Sequence, residues 1–158
     1  MIEPRQVEIS FTVRGNPVSQ NRAWRIITFH PKGGGPSHAS MKLSDEGISF
    51  KVEVARIAGM VCPPGWDREN EYIVDVVYFF DSRRPDVDGP GKLLLDALSD
   101  FDVDYGRGRT VHFTGLFKND RSVWRFTQQK ELDQANPRAE ITVRLRRPTR
   151  PQQRELIR

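Results

Sequence analysis

A single cysteine, Cys62, is the only thiol in this 158-residue chain, so neither an intrachain disulfide framework nor a cysteine-ligated zinc site can be built within it. A reducing cytoplasm is the compartment this composition leads one to expect. No stretch approaches the roughly 18 consecutive apolar residues that a membrane span requires. The first ten residues, MIEPRQVEIS, lack the apolar run of a signal peptide, so the expectation is a protein that is neither exported nor held in a membrane. Histidine is also scarce: His30, His38 and His112 are scattered, with no H-x-x-x-H and no carboxylate at ligand spacing, and they read as loop or strand residues. There is no internal repeat.

Enough remains to fold. The chain is 37% hydrophobic and 29% charged, with nine Phe and three Trp, which fits one domain with a real core rather than a disordered segment. The net charge of +4 is unevenly placed, because residues 144–158 hold six arginines against one acid, Glu155, while the first 143 residues carry 19 basic and 20 acidic side chains. The expected division is a folded domain over 1–147 and a basic, flexible C-terminal tail over 148–158. Such a tail suits phosphate binding, and it equally suits solubility.

Periodicity predicts the elements. Val7, Ile9, Phe11 and Val13 alternate with polar residues over 6–14, as in a half-buried strand. Gly15-Asn16-Pro17 ends it, Ser19–Arg22 reads as a polar, basic loop, Trp24–Phe29 as a second strand, and His30–Ser40 as a mobile loop. Ser44 is an N-cap candidate for a helix over Asp45–Met60. Tyr72–Phe80 is almost continuously apolar and β-branched, the pattern of a central strand covered on both faces. After a turn at Ser82–Pro85, Gly89–Ser99 reads as a leucine-rich helix, residues 100–110 as an inserted loop, Val111–Phe117 as a strand, Ser122–Thr127 as an extended piece, and Ala139–Leu145 as the last strand. Together these predict a single α/β (α+β) domain with a mixed β-sheet packed against two main helices.

The segment Arg83-Arg84-Pro85-Asp86-Val87-Asp88-Gly89-Pro90-Gly91-Lys92 carries the densest chemistry. Aspartates separated by one residue can point the same way in an extended segment, within reach of one hard cation. If Asp88 opens the helix, Lys92 projects about one turn further along the same face, and Asp96 continues that line. Two carboxylates and a lysine supply much of what phosphodiester hydrolysis needs, and Asp120, in Lys118-Asn119-Asp120 after a strand, is the best-placed third carboxylate. A turn followed by an N-cap also fits Asp-Val-Asp before a helix, and spacing alone does not separate the two readings. Asp96 pairs most simply with Lys92, orienting it. Asp102 and Asp104 repeat the pattern in the inserted loop and read as solvated. Trp24 and Trp124 suit either base stacking or core packing.

Three segments, in order, resemble the RusA-type Holliday-junction resolvases, crossover junction endodeoxyribonucleases that cut four-way DNA. They are Phe11-Thr12-Val13-Arg14-Gly15-Asn16-Pro17-Val18-Ser19-Gln20-Asn21-Arg22, then Arg84-Pro85-Asp86-Val87-Asp88 through Lys92-Leu93-Leu94-Leu95-Asp96-Ala97-Leu98, then Phe117-Lys118-Asn119-Asp120-Arg121-Ser122-Val123. The middle one is the most specific. The resemblance implies a RusA-like fold in which Asp86, Asp88 and Asp120 are catalytic carboxylates that hold magnesium, with manganese a possible substitute, and Lys92 is the essential lysine. It implies that Pro17, Ser19, Asn21 and Arg22 approach DNA, with Arg83, Arg84 and Lys118 as further DNA contacts and Asp96 and Asn119 as supporting residues. Two positions depart from the family pattern: Gly89 stands where the family usually has Asn, and Asn119 where it has an acid. The linker from the helix to Asp120 is also longer than usual. The implied activity is the resolution of four-way junctions by paired symmetric nicks, by a homodimer without nucleotide cofactor or membrane, in the cytoplasm of a bacterial or phage-infected cell during recombination, repair or phage DNA processing. A junction-binding protein with weakened catalysis, or a general flap or single-strand nuclease, are the alternatives.

Overall fold

Alternation makes the first strand. In residues 7–146, which the computed structural model describes, β1 (Glu8–Arg14) buries Ile9, Phe11 and Val13 and turns its polar residues outward. The chain then makes one helical turn, α1 (Gln20–Ala23), where a loop was expected. It continues into an antiparallel ribbon of β2 (Trp24–Phe29) and β3 (His38–Leu43), so the last residues of the expected mobile loop are strand. Helix α2 (Asp45–Val61) follows, with Ser44 as its N-cap: the hydroxyl accepts from Gly47 N at 3.0 Å and donates to the Arg22 carbonyl at 2.8 Å.

Strand β4 (Tyr72–Phe80) is central, as its apolar run predicts, and leads through α3 (Gly91–Leu98). Residues 100–110, expected to be an inserted loop, belong instead to a hairpin of β5 (Phe101–Asp104) and β6 (Thr110–Phe113), so the predicted strand over 111–117 ends early. Gly106, Arg107 and Gly108 all take positive φ in its turn, which two glycines make cheap. Phe101 and Phe113 stack across it at 4.9 Å. Asp102 and Asp104 are exposed, but both are bonded: Asp102 meets His112 Nδ1 at 2.6 Å, giving that histidine the carboxylate partner that sequence spacing hid, and Asp104 accepts from Gly106 N at 2.7 Å. A 3-10 turn (Asp120–Ser122) then starts β7 (Val123–Leu132), longer than expected, and β8 (Arg138–Leu145) closes the sheet.

The four-stranded sheet runs β1-β8-β4-β7, antiparallel except for the parallel β4–β7 pair, and with the helices it forms one α+β domain. One face supplies the core: Tyr72, Val74, Val76, Tyr78 and Phe80 of β4, with the inward residues of β1 and β8, pack with Phe50 and Val54 of α2 and Leu93, Leu94 and Leu98 of α3. Each such large side chain contributes about 1.5–3 kcal/mol by leaving water. The other face of β4 is only half-buried, a correction to the two-sided cover expected for it. Among the described residues, arginines lie over that face in place of a second layer. Arg138 sits 3.7 Å above the Phe79 ring, and Arg144 pairs with Asp75. Arg144 and Arg146, two of the six C-terminal arginines, are thus tied to the domain, Arg146 through Glu71 at 2.7 Å. The predicted tail, 148–158, lies outside the described residues. Among the described residues no helix is long and apolar enough to cross a membrane.

Candidate functional site

Two chain segments distant in sequence meet around the acids. The carbonyl of Gly89 accepts from Gln20 N at 2.7 Å, which joins the start of α1 to the turn carrying Asp88. At its other end α1 is held by α2: Ser44 N donates to the Ala23 carbonyl at 2.7 Å, and a Cβ on Gly47 would lie 2.8 Å from that same oxygen. Ser44, buried to 6% exposure, therefore caps one helix and fixes the other. The result is a groove of about 1170 Å³ lined by Ser19, Asn21 and Arg22 together with Arg84, Asp86 and Asp88. The segment resembling a DNA-approaching loop and the first two candidate carboxylates thus share one depression.

The local geometry of the acids differs from the extended pair expected. Residues 87–90 form a turn, Asp88 receives the Gly91 N–H on its backbone carbonyl at 3.1 Å, and the helix is capped by Pro90 rather than opened by Asp88. Asp86 and Asp88 are exposed, and among the described residues their carboxylates take no hydrogen bond or ion pair. Gly89 also has a reason to lack a side chain, since a Cβ there would stand 3.2 Å from the Asp86 carbonyl and 3.3 Å from Ser19 Cβ.

A second group lies on α3. Lys92 Nζ donates to Asp96 at 2.6 Å, the i,i+4 pairing expected, and to Asp120 at 3.0 Å. These bonds, that to Asp96 foremost, raise the lysine's pKa. Asp120 opens the 3-10 turn before β7, and Asn119 caps that turn by accepting from Arg121 N at 3.0 Å, a role an aspartate would fill equally. Lys118 stands apart from the groove lining and pairs with Glu69. Arg83 lines a smaller hollow with Lys130 and Leu132.

Hard-cation chemistry fits part of this donor set. Asp86 and Asp88 offer oxygens unpaired among the described residues, and magnesium is commonly held through one or two carboxylates while keeping several waters. Asp120 is engaged by Lys92, and no three His, Cys, Asp or Glu among the described residues form a ready metal cage.

Four positions escaped the sequence. Lys130 of β7 donates to the Arg83 carbonyl at 2.6 Å and to that of Pro85, clamping the loop that leads to Asp86. Lys51 of α2 lies 4.1 Å over the Phe101 ring, and burial lowers its pKa while the charge of Asp96 opposes that shift. Ile26 and Met41 of the ribbon line the groove. The two lysines act across the fold, with partners no local spacing reveals; Ile26 lay within the strand expected over Trp24–Phe29. The chain matches no protein-family model, and no curated protein matches it in sequence.

Proposed function

We propose that the chain is a magnesium-dependent endonuclease acting on branched DNA, resolving four-way junctions by paired nicks as a homodimer in the cytoplasm of a bacterial or phage-infected cell. The observation that carries this reading is the groove in which Asp86 and Asp88, unpaired, lie beside Ser19, Asn21, Arg22 and Arg84. Polar and cationic side chains next to free carboxylates suit a phosphodiester brought up to a hard cation. Magnesium bound there supplies neutralisation of charge on the phosphate oxygens and a more acidic water. Asp86 and Asp88 would hold it, with Asp120 joining when it parts from Lys92. Lys92, kept protonated by its carboxylate partners, offers a fixed positive charge near the scissile phosphate. Two equivalent sites about a two-fold axis match the two-fold symmetry of a junction, hence the dimer.

A second reading, a junction-binding protein that does not cut, is favoured by one feature: Asp120 is already held by Lys92 and its neighbour is Asn119 rather than an acid. Cleavage of a mobile four-way junction, with linear duplex and flap controls and with and without magnesium, separates the readings. The nuclease reading expects magnesium-dependent, junction-selective nicks and a loss of roughly 100-fold or more in Asp88→Asn. Tight binding with no nicking at any magnesium concentration supports the second. Equal cutting of flaps and junctions marks a general nuclease, and an Asp88→Asn variant as active as the parent refutes the site.

A further inference from the structure

Residues 9–44 contain no aspartate or glutamate, yet they carry Arg14, Arg22, Arg25, Lys32 and Lys42. The β2–β3 ribbon lies inside this stretch and, among the described residues, pairs with no third strand. A two-stranded ribbon on its own is marginal in water. This one also holds large apolar side chains in solvent: Ile26 is 74% exposed and Met41 66%. The two are cross-strand partners, and the period of two puts Trp24 on their face. All three line the groove that also holds Arg22, Arg84, Asp86 and Asp88. Trp24 is half-buried against the core and anchors that face.

Charge restricts what can cover the ribbon. Arg25 and Lys42, cross-strand partners, lie on the opposite face, so the cations that an occupant of the inner face meets are Arg22 and Arg84 of the groove. A DNA strand with unpaired bases offers both required surfaces, flat apolar faces for the side chains and phosphates for the cations. Duplex DNA hides those faces, whereas a branch point frees them, and Ile and Met are among the side chains that enter between base steps elsewhere.

We propose that the inner face of the ribbon, Ile26 and Met41 with Trp24 at its base, packs against nucleobases released from the stack of branched DNA and keeps the strand in the groove beside Asp86 and Asp88. The identity of the nucleic acid rests on the nuclease reading. The packing itself is tested without cleavage.

Binding of a fluorescein-labelled oligothymidine, in EDTA, is measured for the parent, for Ile26→Ser/Met41→Ser, and for the outer-face pair Ile27→Ser/Phe29→Ser. Loss of affinity by about tenfold with the inner pair, and little change with the outer pair, is the expected result. No loss with the inner pair, or equal loss with both, overturns the proposal. Circular dichroism follows the fold, which exposed substitutions are expected to leave intact. A readout on the parent alone does not depend on the variants folding: 2-aminopurine at the branch of a four-way junction brightens on binding if bases are unstacked, and an unchanged signal at saturation overturns the proposal. Light scattering that shows a parental dimer falling to monomer in the inner-face variant identifies a second copy as the occupant, which also overturns it. A chain that binds oligothymidine through the inner face but leaves junctions uncut in magnesium supports the ribbon and refutes the nuclease reading alone.

Discussion

Lys92 Nζ lies 3.0 Å from an Asp120 carboxylate oxygen, joining α3 to the turn before β7 across 28 positions of sequence. The same ammonium holds Asp96, so one cation is shared by two acids.

This sharing sets a pH dependence. The folded pKa of Lys92 is raised above the ordinary value of 10.5, first by the bond to Asp96 and then by that to Asp120. The stability these pairs contribute is therefore fully present below the unfolded value and is lost as pH rises through the higher folded one. The side chain is 52% exposed, so screening limits the contribution to about 1 kcal/mol or less. The difference in urea midpoint between the parent and Lys92→Met should be constant between about pH 6 and 9 and should shrink above about pH 10.5. A difference that grows with rising pH would show that these pairs are not what Lys92 contributes.

Lys130 gives a second expectation. Its bonds to the carbonyls of Arg83 and Pro85 hold the loop before Asp86, and methionine keeps the length of the stem but removes the donors. Lys130→Met should lower stability by roughly 1 kcal/mol. On the nuclease reading it should also cut junction cleavage about tenfold and raise the magnesium concentration needed for half-maximal rate, as expected when a supporting bond is removed from a metal site. If cleavage falls with the magnesium requirement unchanged, Lys130 supports the fold and not the position of Asp86.

The parts of this arrangement legible in the sequence are those whose partners are close along the chain. Ser44 with Gly47, Lys92 with Asp96 and the apolar run of β4 could all be read from spacing. The bond from Lys92 to Asp120 depends on the parallel β4–β7 pair, which returns the chain next to α3; the sequence offered Asp120 as a third carboxylate for the site but gave no sign of the bond itself. The β2–β3 ribbon was half visible because its residues are almost all exposed, so no buried face imposed an alternation across β3. The β5–β6 hairpin was missed for a related reason: its acids and glycines look like a loop, while stacking of Phe101 on Phe113 and the Asp102–His112 bond form only once the strands pair. The half-covered outer face of β4 was misread because arginines from β8, not apolar residues, lie over it.

The basic residues of the candidate site differ in what they are free to do, and salt dependence should sort them. Arg84 lines the groove and has no ion-pair partner among the described residues, so a phosphate would be its first. Arg22, also on the groove, pairs with Glu46 at 3.1 Å, but both side chains are exposed and such a pair is cheaply exchanged. Lys118 is joined to Glu69 and does not line the groove. Deleting a cation that neutralises one phosphate should reduce the slope of log affinity against log salt by about 1. Junction binding in metal-free buffer should therefore show a slope shallower by about 1 for Arg84→Ala, a slightly smaller change for Arg22→Ala because of its exchange with Glu46, and the parental slope for Lys118→Ala. A parental slope for Arg84→Ala, with Lys118→Ala shallower, would move the DNA path out of the groove and toward the loop between β6 and the turn at Asp120.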